Sequence, residues 1–496
     1  MSETIVNDSD RSPDDGFPPA STGSDVPGRG RKGRLGPTAV VLTVMAYLAP
    51  LAAAAGYIPL VIGFGNGLGA PLVFLVCGAV LALFSFGYLA MVRQVPRPGA
   101  FYAYVSAGLG KRVGLGSGAL TLSFYLMSAM GFYIFGGVSL SNLLRSNFGL
   151  DLPWWLYVAV LGAIVFFCAY RGLEFNVRIL GFVVALEITI IAAFNVVALI
   201  RGVPSGYSAE PFTWGAFTSG SVAVAALFAI AFFVGFESTA IYREEVRNPR
   251  RTIPLATYAV IATISLFYFV TAYCLIISIG TDTVVTDASA DPAGTFNIAL
   301  AATLGSAFTQ IVAVLVVTSV LASELAMVNA MTRYVYSFGV DRVFPKLLGA
   351  VHKRHGSPYR AALLTNTLTL AGVVAVAVSG LDPQVGYGTL SGVMVFGFEA
   401  MMLLVSLSAI VYFRRNRGSG EPLWSTLIAP LLSIACFGWL LYFSAARLDL
   451  LLGTPTLLSP ILFTILGTAF VVGFVYACVL AARKPDVFAR IGRAVD

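Results

Sequence analysis

Long apolar stretches recur along the whole chain and constrain its fold more than any other feature. Each is long enough to cross a hydrocarbon layer about 30 Å thick as a helix, which takes about 20 residues. An unpaired backbone amide in lipid costs several kcal/mol, so such stretches must be helical. The sequence therefore predicts an all-α membrane protein of about twelve transmembrane helices. The predicted spans lie near residues 37–60, 70–92, 113–144, 153–170, 177–200, 218–242, 253–280, 306–338, 359–380, 385–413, 425–444 and 456–482.

Charged residues are scarce, and they lie between the apolar stretches. They make up 11% of the chain, whereas about a quarter is usual for soluble domains. The net charge of +7 is spread over short clusters, so it does not form the single basic surface of a nucleic-acid-binding module. The five cysteines fall inside apolar stretches without the paired spacing of a metal site. We expect a lipid setting, no nucleic-acid partner, no metal and no other cofactor.

The basic residues predict the orientation of the chain in the membrane. Of the 31 Lys and Arg, 28 fall in the two tails, in the even-numbered loops or in the ends of the spans beside those loops. Positively charged loops remain on the cytoplasmic side, so both termini are predicted to be cytoplasmic, in a multi-pass protein of the inner (cytoplasmic) membrane. Residues 1–36 hold six acidic residues, four prolines and the run GRGRKGR, which is typical of a disordered tail rather than a cleavable signal. Residues 483–496 form the predicted C-terminal tail.

Two of the predicted helices contain interruptions. The first reads YLAPLAAAAGYIPL, with Pro50, Gly56 and Pro59 inside it, and the sixth carries FFVGFE, with Gly235 among aromatic residues. Non-helical backbone at membrane depth is tolerated only where it is buried in protein or lines a cavity. Paired interruptions at equivalent positions of two repeats indicate the binding site of a transporter. The alternative for the first span is a kinked helix whose small residues serve packing.

Three segments give the chain a resemblance to a known family. They are PRPGAFYAYVSAGLGKRVG at 96–114, FFVGFESTAIYREEVRNPRRTIPLA at 232–256 and ELAMVNAMTRYVYSFGVDRVFPKLLGAVHKRHGSP at 324–358. In order and position they resemble the amino acid-polyamine-organocation (APC) permease superfamily over roughly residues 37–480. The resemblance implies the leucine-transporter-like five-plus-five inverted repeat, at about 37–200 and 218–413, followed by two peripheral helices at about 425–482.

The resemblance also implies a substrate site. In such permeases the unwound parts of helices 1 and 6 bind the substrate through backbone amides and carbonyls. The corresponding residues here are Ala53, Ala54, Ala55, Gly56, Phe232, Phe233, Val234 and Gly235. Many amino acid permeases carry a Gly-Ser-Gly stretch in helix 1, whereas this chain has AAAAG, so a decarboxylated amine remains an alternative to an amino acid.

Four carboxylates fall within the predicted spans: Glu187, Glu237, Glu324 and Glu399. A charged group at membrane depth is costly and is by default a functional candidate. The resemblance implies proton or ion coupling at Glu187. For Glu237 it implies either coupling or substrate binding, and the alternative is a structural hydrogen bond to helix 6 or its neighbours. For Glu324 the alternatives are a place near the cytoplasmic mouth and a structural hydrogen bond. Glu399 matches no motif, and we expect it to be structural.

These observations predict a secondary active transporter, not an enzyme, for an amino acid or related amine. We expect coupling to protons rather than sodium, with an exchanger or a sodium-coupled symporter as alternatives. A membrane enzyme would need a nucleophile and base or a metal cluster, whereas both histidines, His352 and His355, lie in one basic loop. A sensor fits least, because no output domain accompanies the spans.

The orientation can be tested by labelling single cysteines in intact cells. A cysteine placed beside Arg145 should react with an impermeant reagent, and one placed beside Arg354 should be protected, because they are predicted on opposite faces. The reverse pattern would show that the topology is wrong.

Overall fold

The structure is a computed structural model. It describes residues 36–95, 101–171, 177–201, 206–244, 246, 248–352, 357–446 and 458–491. Within these ranges the chain is almost entirely helical and contains no β-strand. The predicted N-terminal tail lies outside the described residues except for Gly36.

Eighteen α-helices make up most of the described chain. They are α1 (Pro37–Tyr47), α2 (Pro50–Leu60), α3 (Ala70–Gln94), α4 (Phe101–Leu109), α5 (Lys111–Phe148), α6 (Trp154–Arg171), α7 (Val177–Arg201), α8 (Trp214–Thr218), α9 (Val222–Ile230), α10 (Pro249–Ile279), α11 (Val284–Ala290), α12 (Pro292–Leu304), α13 (Ser306–Val340), α14 (Tyr359–Val378), α15 (Pro383–Arg415), α16 (Ala429–Ala446), α17 (Leu458–Arg483) and α18 (Pro485–Arg490). Shorter 3₁₀ and π turns link several of them.

Eleven helical stretches of the described chain are long and apolar enough to cross a membrane. The first of them, Pro50–Gln94, contains both α2 and α3. Contacts with the sixth predicted span give the direction of α1 and α2. The Leu48 side chain lies beside Gly235, and the Gly65 carbonyl accepts a hydrogen bond from the Ser221 amide at 3.0 Å. The first span therefore runs antiparallel to the sixth.

Helix α3 runs the other way. The Cys77 thiol lies 3.8 Å from the Ala226 carbonyl, and the Tyr88 hydroxyl donates to the Glu237 carbonyl at 2.9 Å. Thus α3 is parallel to the sixth span, and the chain reverses between α2 and α3. Pro50–Gln94 accordingly holds the end of one predicted span and all of the next, so the eleven candidate stretches of the described chain cover all twelve predicted spans.

Several segments between the predicted spans are also helical, which the sequence did not predict. They are α4, α11 and α12. Helix α4 belongs to the 96–114 motif and packs closely on α15, since a Cβ on Gly108 would clash with the Ser408 backbone. The Gly108 carbonyl accepts from the Arg415 guanidinium at 3.2 Å. The glycine of this motif therefore allows a close helix contact.

Part of the predicted C-terminal tail folds back onto the bundle. It contains α18, and the Lys111 ammonium at the start of α5 donates to the Ala489 carbonyl. Burial raises the pKa of the Asp341 carboxyl, at the end of α13, to about 6, although the Arg490 guanidinium acts in the opposite direction. The C-terminal helix thus contacts the start of α5 and lies near the end of α13.

Candidate substrate site

The first span breaks at Leu48 and Ala49, which we call the first break. Helix α1 ends at Tyr47, and Ala49 takes a left-handed conformation with φ 45° and ψ 65°. This conformation costs a residue with a Cβ roughly 1–2 kcal/mol. Pro50 explains the position of the break, because proline disfavours helical backbone in the residue before it and is well suited to begin a new helix. Helices α1 and α2 have 11 residues each, so the break lies near the middle of the span.

The predicted unwinding at Ala53, Ala54, Ala55 and Gly56 is wrong. All four are buried inside α2 and are helical. Alanine has the highest helix propensity of all residues, and Pro50 at the N-terminus starts the helix instead of interrupting it. The unwound residues are those immediately before Pro50. A role for these four residues in substrate binding remains a prediction.

The sixth span breaks at Val234 and Gly235, which we call the second break. Helix α9 ends at Ile230, a 3₁₀ turn follows at Ala231–Phe233, and Val234 is extended. Gly235 has φ +113°, a conformation that residues with a Cβ rarely adopt. A 3₁₀ helix, Phe236–Glu244, then continues the span. The interruption predicted at this glycine is confirmed.

The two breaks touch each other inside the bundle. The Leu48 side chain lies 3.3 Å from the position that a Cβ on Gly235 would occupy. Phe232, just before the second break, packs edge-on against Tyr57 with 5.7 Å between the ring centroids. The centroids of the Phe232 and Tyr268 rings lie 4.2 Å apart. Leu48, Tyr57 and Phe232 are at least 91% buried, so the breaks and their aromatic neighbours form one enclosed region.

Glu187 of α7 lies at the first break. Its carboxylate is 1% exposed and accepts a hydrogen bond from the Leu51 amide at 3.2 Å. That amide belongs to the first turn of α2, where helix amides lack intrahelical partners and the helix dipole favours negative charge. Glu187 therefore caps the half-helix α2 from a different span. Its predicted coupling role is not established by this contact.

Glu237 lies at the second break in a similar arrangement. One carboxylate oxygen accepts from the Gly235 amide at 2.9 Å, and the other lies 3.4 Å from the Tyr125 hydroxyl of α5. The hydrogen bond within helix 6, one of the two alternatives for this residue, is thus present. A glutamate of the protein itself thus binds an amide just after the first break and an amide within the second.

Glu324 of α13, one of the four carboxylates singled out in the sequence, lies near the aromatic side chains around the breaks. It is 1% exposed, and its Oε2 has no hydrogen-bond partner among the described residues. It lies within electrostatic range of the Tyr57 and Tyr133 hydroxyls. The hydroxyls of Tyr57 and Tyr387 are buried next to each other and next to Ser391. The sequence indicated that this carboxylate is unpaired, because no Lys or Arg lies at the depth of Glu324 in the predicted spans.

Two further features lie near these helices. Both carboxylate oxygens of Glu399, on α15, are buried without a partner in the described ranges, and this side chain is within electrostatic range of Cys77 on α3. A cavity of about 670 Å³ opens where α2 meets α3. Its lining includes Gly65, Glu210 and Ser219. We call it the outer cavity, because it lies across the bundle from Lys111 and Arg415.

A bundle of apolar helices with two broken helices in contact at its centre is the architecture of a membrane transporter. Residues 57–471 match the amino acid permease family. The chain belongs to this family. The APC resemblance and the all-α fold expected from the sequence are thereby confirmed.

Individual relatives differ in the solutes that their names give. The methylthioribose transporter of Bacillus subtilis is 24% identical over 75% of this chain and 79% of its own length. The branched-chain amino acid permease BcaP of Lactococcus lactis is 25% identical over 72% and 77%. The low-affinity putrescine importer PlaP of Escherichia coli is 24% identical over 67% and 72%. All are transporters and not enzymes, in agreement with the expectation from the sequence.

Gly56 offers a test of the site. A Cβ at this position would lie 2.5 Å from the Tyr387 hydroxyl and 3.5 Å from the Phe135 ring. We expect Gly56→Val to insert and fold but to displace Tyr387. Overpacking of this kind costs about 1–3 kcal/mol, and where that cost falls on the solute-bound state it weakens binding by roughly 5- to 150-fold.

Gly438→Val in α16 is the matched control, because no atom lies within 4 Å of a Cβ built there. Solute binding to both purified variants should be compared after size-exclusion chromatography has shown that each is folded. If Gly56→Val bound solute with wild-type affinity, the enclosed region around Tyr57 and Tyr387 would not be part of the solute site.

Proposed function

We propose that this protein is a secondary active transporter that moves an amino acid or a related amine across the cytoplasmic membrane by alternating access. The observation that carries the proposal is the contact between the two breaks, Leu48 against Gly235, in the interior of the bundle. Broken helices expose amides and carbonyls that bind a small polar solute without a dedicated soluble domain. Membership of the amino acid permease family supports the same class of solute.

Alternating access requires one part of the bundle to move against another around the site. The half-helices on either side of each break are the natural moving parts, because the break removes the continuous backbone hydrogen bonding that keeps a helix rigid. The outer cavity supports an entry route. Gly65 lines it, and the Gly65 carbonyl accepts a hydrogen bond from the amide of Ser221, the residue just before α9. Movement of α2 and α9 would change the shape of this cavity.

We propose that the basic end of the bundle faces the cytoplasm. Several basic side chains meet there: Lys111 contacts Ala489, Arg415 contacts the Gly108 carbonyl, and Arg93 forms an ion pair with Glu421. At the opposite end α5 finishes with Arg145, which pairs with Asp151. The excess of positive charge at one end supports this orientation.

We propose that protons drive transport and that Glu187 carries the proton. Its carboxylate links α7 to the first turn of α2 through the Leu51 amide. Protonation removes the negative charge that the helix dipole favours and so weakens this link. A proton would then be coupled directly to the position of a half-helix at the solute site. Exchange and sodium coupling are the alternatives that transport measurements distinguish.

Coupling can be tested with Glu187→Gln in proteoliposomes. Glutamine keeps the shape of the side chain and an oxygen that accepts from Leu51, but it does not titrate. Uphill accumulation driven by a proton gradient should vanish, and its pH dependence should flatten. Solute binding and exchange across the membrane should persist.

Glu237→Gln is the matched comparison, because Glu237 caps the other break in the same way. If Glu187→Gln still accumulates solute against its gradient while Glu237→Gln loses both binding and pH response, the proton is carried by Glu237. A sodium gradient that drives the wild-type protein while a proton gradient does not would overturn proton coupling altogether.

A further inference from the structure

Glu399 is a buried carboxyl that the proposed coupling through Glu187 does not use. It lies near the middle of α15 and is 0% exposed. Neither of its carboxyl oxygens has a hydrogen-bond partner among the described residues, and neither of the ion pairs of the described chain involves it. A buried carboxylate without a partner is strongly disfavoured, so a carboxyl in this position binds a proton.

A purely structural role does not explain this residue. A protonated carboxyl still has one O–H donor and acceptor oxygens, and a buried polar group that is left without a partner lowers stability. Leucine or methionine at position 399 would fill similar space without polar atoms. An ionisable residue that is kept inside a membrane under these conditions is a functional candidate.

The surroundings of Glu399 include the half-helix α9. Helix α15 packs against both α3 and α9. The Cys77 thiol of α3 is within electrostatic range of the Glu399 carboxyl and lies 3.8 Å from the Ala226 carbonyl of α9. Helix α9 ends one turn after Ala226 and leads into the second break. Glu399 therefore lies close to the half-helix that enters this break.

Cys77 is the titratable neighbour of Glu399 within the described chain. Helix α9 has no titratable side chain. Helices α4, α5, α16 and α17 also pack against α15, and their described side chains bring no charge to this carboxyl. The titratable side chains of α16 and α17 are partly or fully exposed. The tyrosines of α4 and α5 contact other groups; they are Tyr102, Tyr104, Tyr125 and Tyr133.

Glu399 also has a counterpart in the other repeat. In a five-plus-five repeat the fifth span corresponds to the tenth, and the first corresponds to the sixth. Glu187 lies near the middle of the fifth span, α7, and Glu399 lies near the middle of the tenth, α15. Each repeat thus places one carboxyl on its last helix, beside a half-helix that adjoins a break. The half-helix is α2 for Glu187 and α9 for Glu399.

We propose that Glu399 is a second proton-binding site of the transporter, and that its proton exchanges with water when α9 moves away from α15. While the two helices are packed together, the carboxyl has no access to water and keeps its proton. Separation of the helices admits water, which stabilises the charged form, and the O–H bond breaks with release of the proton to that water. The inference rests on the proposed proton-driven transport and adds a second proton to each cycle.

The two carboxyls differ in what their removal does. Glu187 must gain and lose its charge at the Leu51 amide for α2 to move, so Glu187→Gln stops uphill transport. Glu399 makes no hydrogen bond to a half-helix among the described residues. Glu399→Gln should therefore leave a working transporter that moves one proton fewer in each cycle.

Solute accumulation measures the number of protons in each cycle. With a pH difference of about one unit across proteoliposomes and the membrane potential clamped at zero, one proton limits accumulation to roughly ten-fold and two protons to roughly 100-fold. Leucine and putrescine are suitable probes, because relatives named for branched-chain amino acids and for putrescine match this chain. The wild-type protein should exceed the ten-fold limit and approach 100-fold. Glu399→Gln should not exceed roughly ten-fold.

An infrared spectrum of the purified protein tests separately whether Glu399 carries a proton. The carbonyl stretch of a protonated carboxyl is distinct from the bands of a carboxylate. The wild-type protein should show this stretch at neutral pH, and Glu399→Gln should lose part of its intensity. Glu421→Gln is the matched control and should retain the full intensity, because Glu421 forms an ion pair with Arg93.

The outcomes separate the inference from the function on which it rests. A wild-type limit of roughly ten-fold would overturn the second site while leaving proton-driven transport in place. A folded Glu399→Gln variant that still exceeds this limit, or that keeps the full infrared intensity, would also overturn it. If a proton gradient drives accumulation of neither probe by the wild-type protein, the proposed coupling fails together with the inference. The wild-type limit does not depend on the folding of a variant.

Discussion

A helix that breaks inside a membrane must find partners for the amides and carbonyls that it exposes there, because lipid provides none. In this protein two glutamates fill part of that need. Glu187 accepts from Leu51, and Glu237 accepts from Gly235. Pro50 and Gly235 set where the two spans break, and these two bonds satisfy amides that the breaks would otherwise leave without partners. They also determine which electrostatic features remain available to a solute.

The two glutamates differ in what they connect. Glu237 caps the helix to which it belongs and contacts Tyr125 of α5, whereas Glu187 joins α7 to α2 across the bundle. Loss of negative charge at Glu187 would release one half-helix from its neighbour. The same side chain that stabilises the break is therefore well placed to couple its movement to a proton.

Hydropathy was sufficient to predict the spans, because every helix that crosses lipid must be long and apolar, and the candidate stretches of the described chain cover all twelve predictions. The second break could be predicted from Gly235, whose positive φ favours glycine. The first break was misplaced by about one turn, because Pro50 begins α2 and the alanines after it continue the helix. The place of Glu324 could not be predicted, since its neighbours Tyr57 and Tyr133 lie in distant parts of the chain.

The most direct test of the site is a cryo-electron microscopy structure of the protein bound to a transported solute. Solute density should lie between the two breaks, in contact with residues around Leu48 and Gly235. Density confined to the outer cavity beside Gly65 and Glu210, with Leu48 still packed on Gly235 and no ligand near them, would contradict the account.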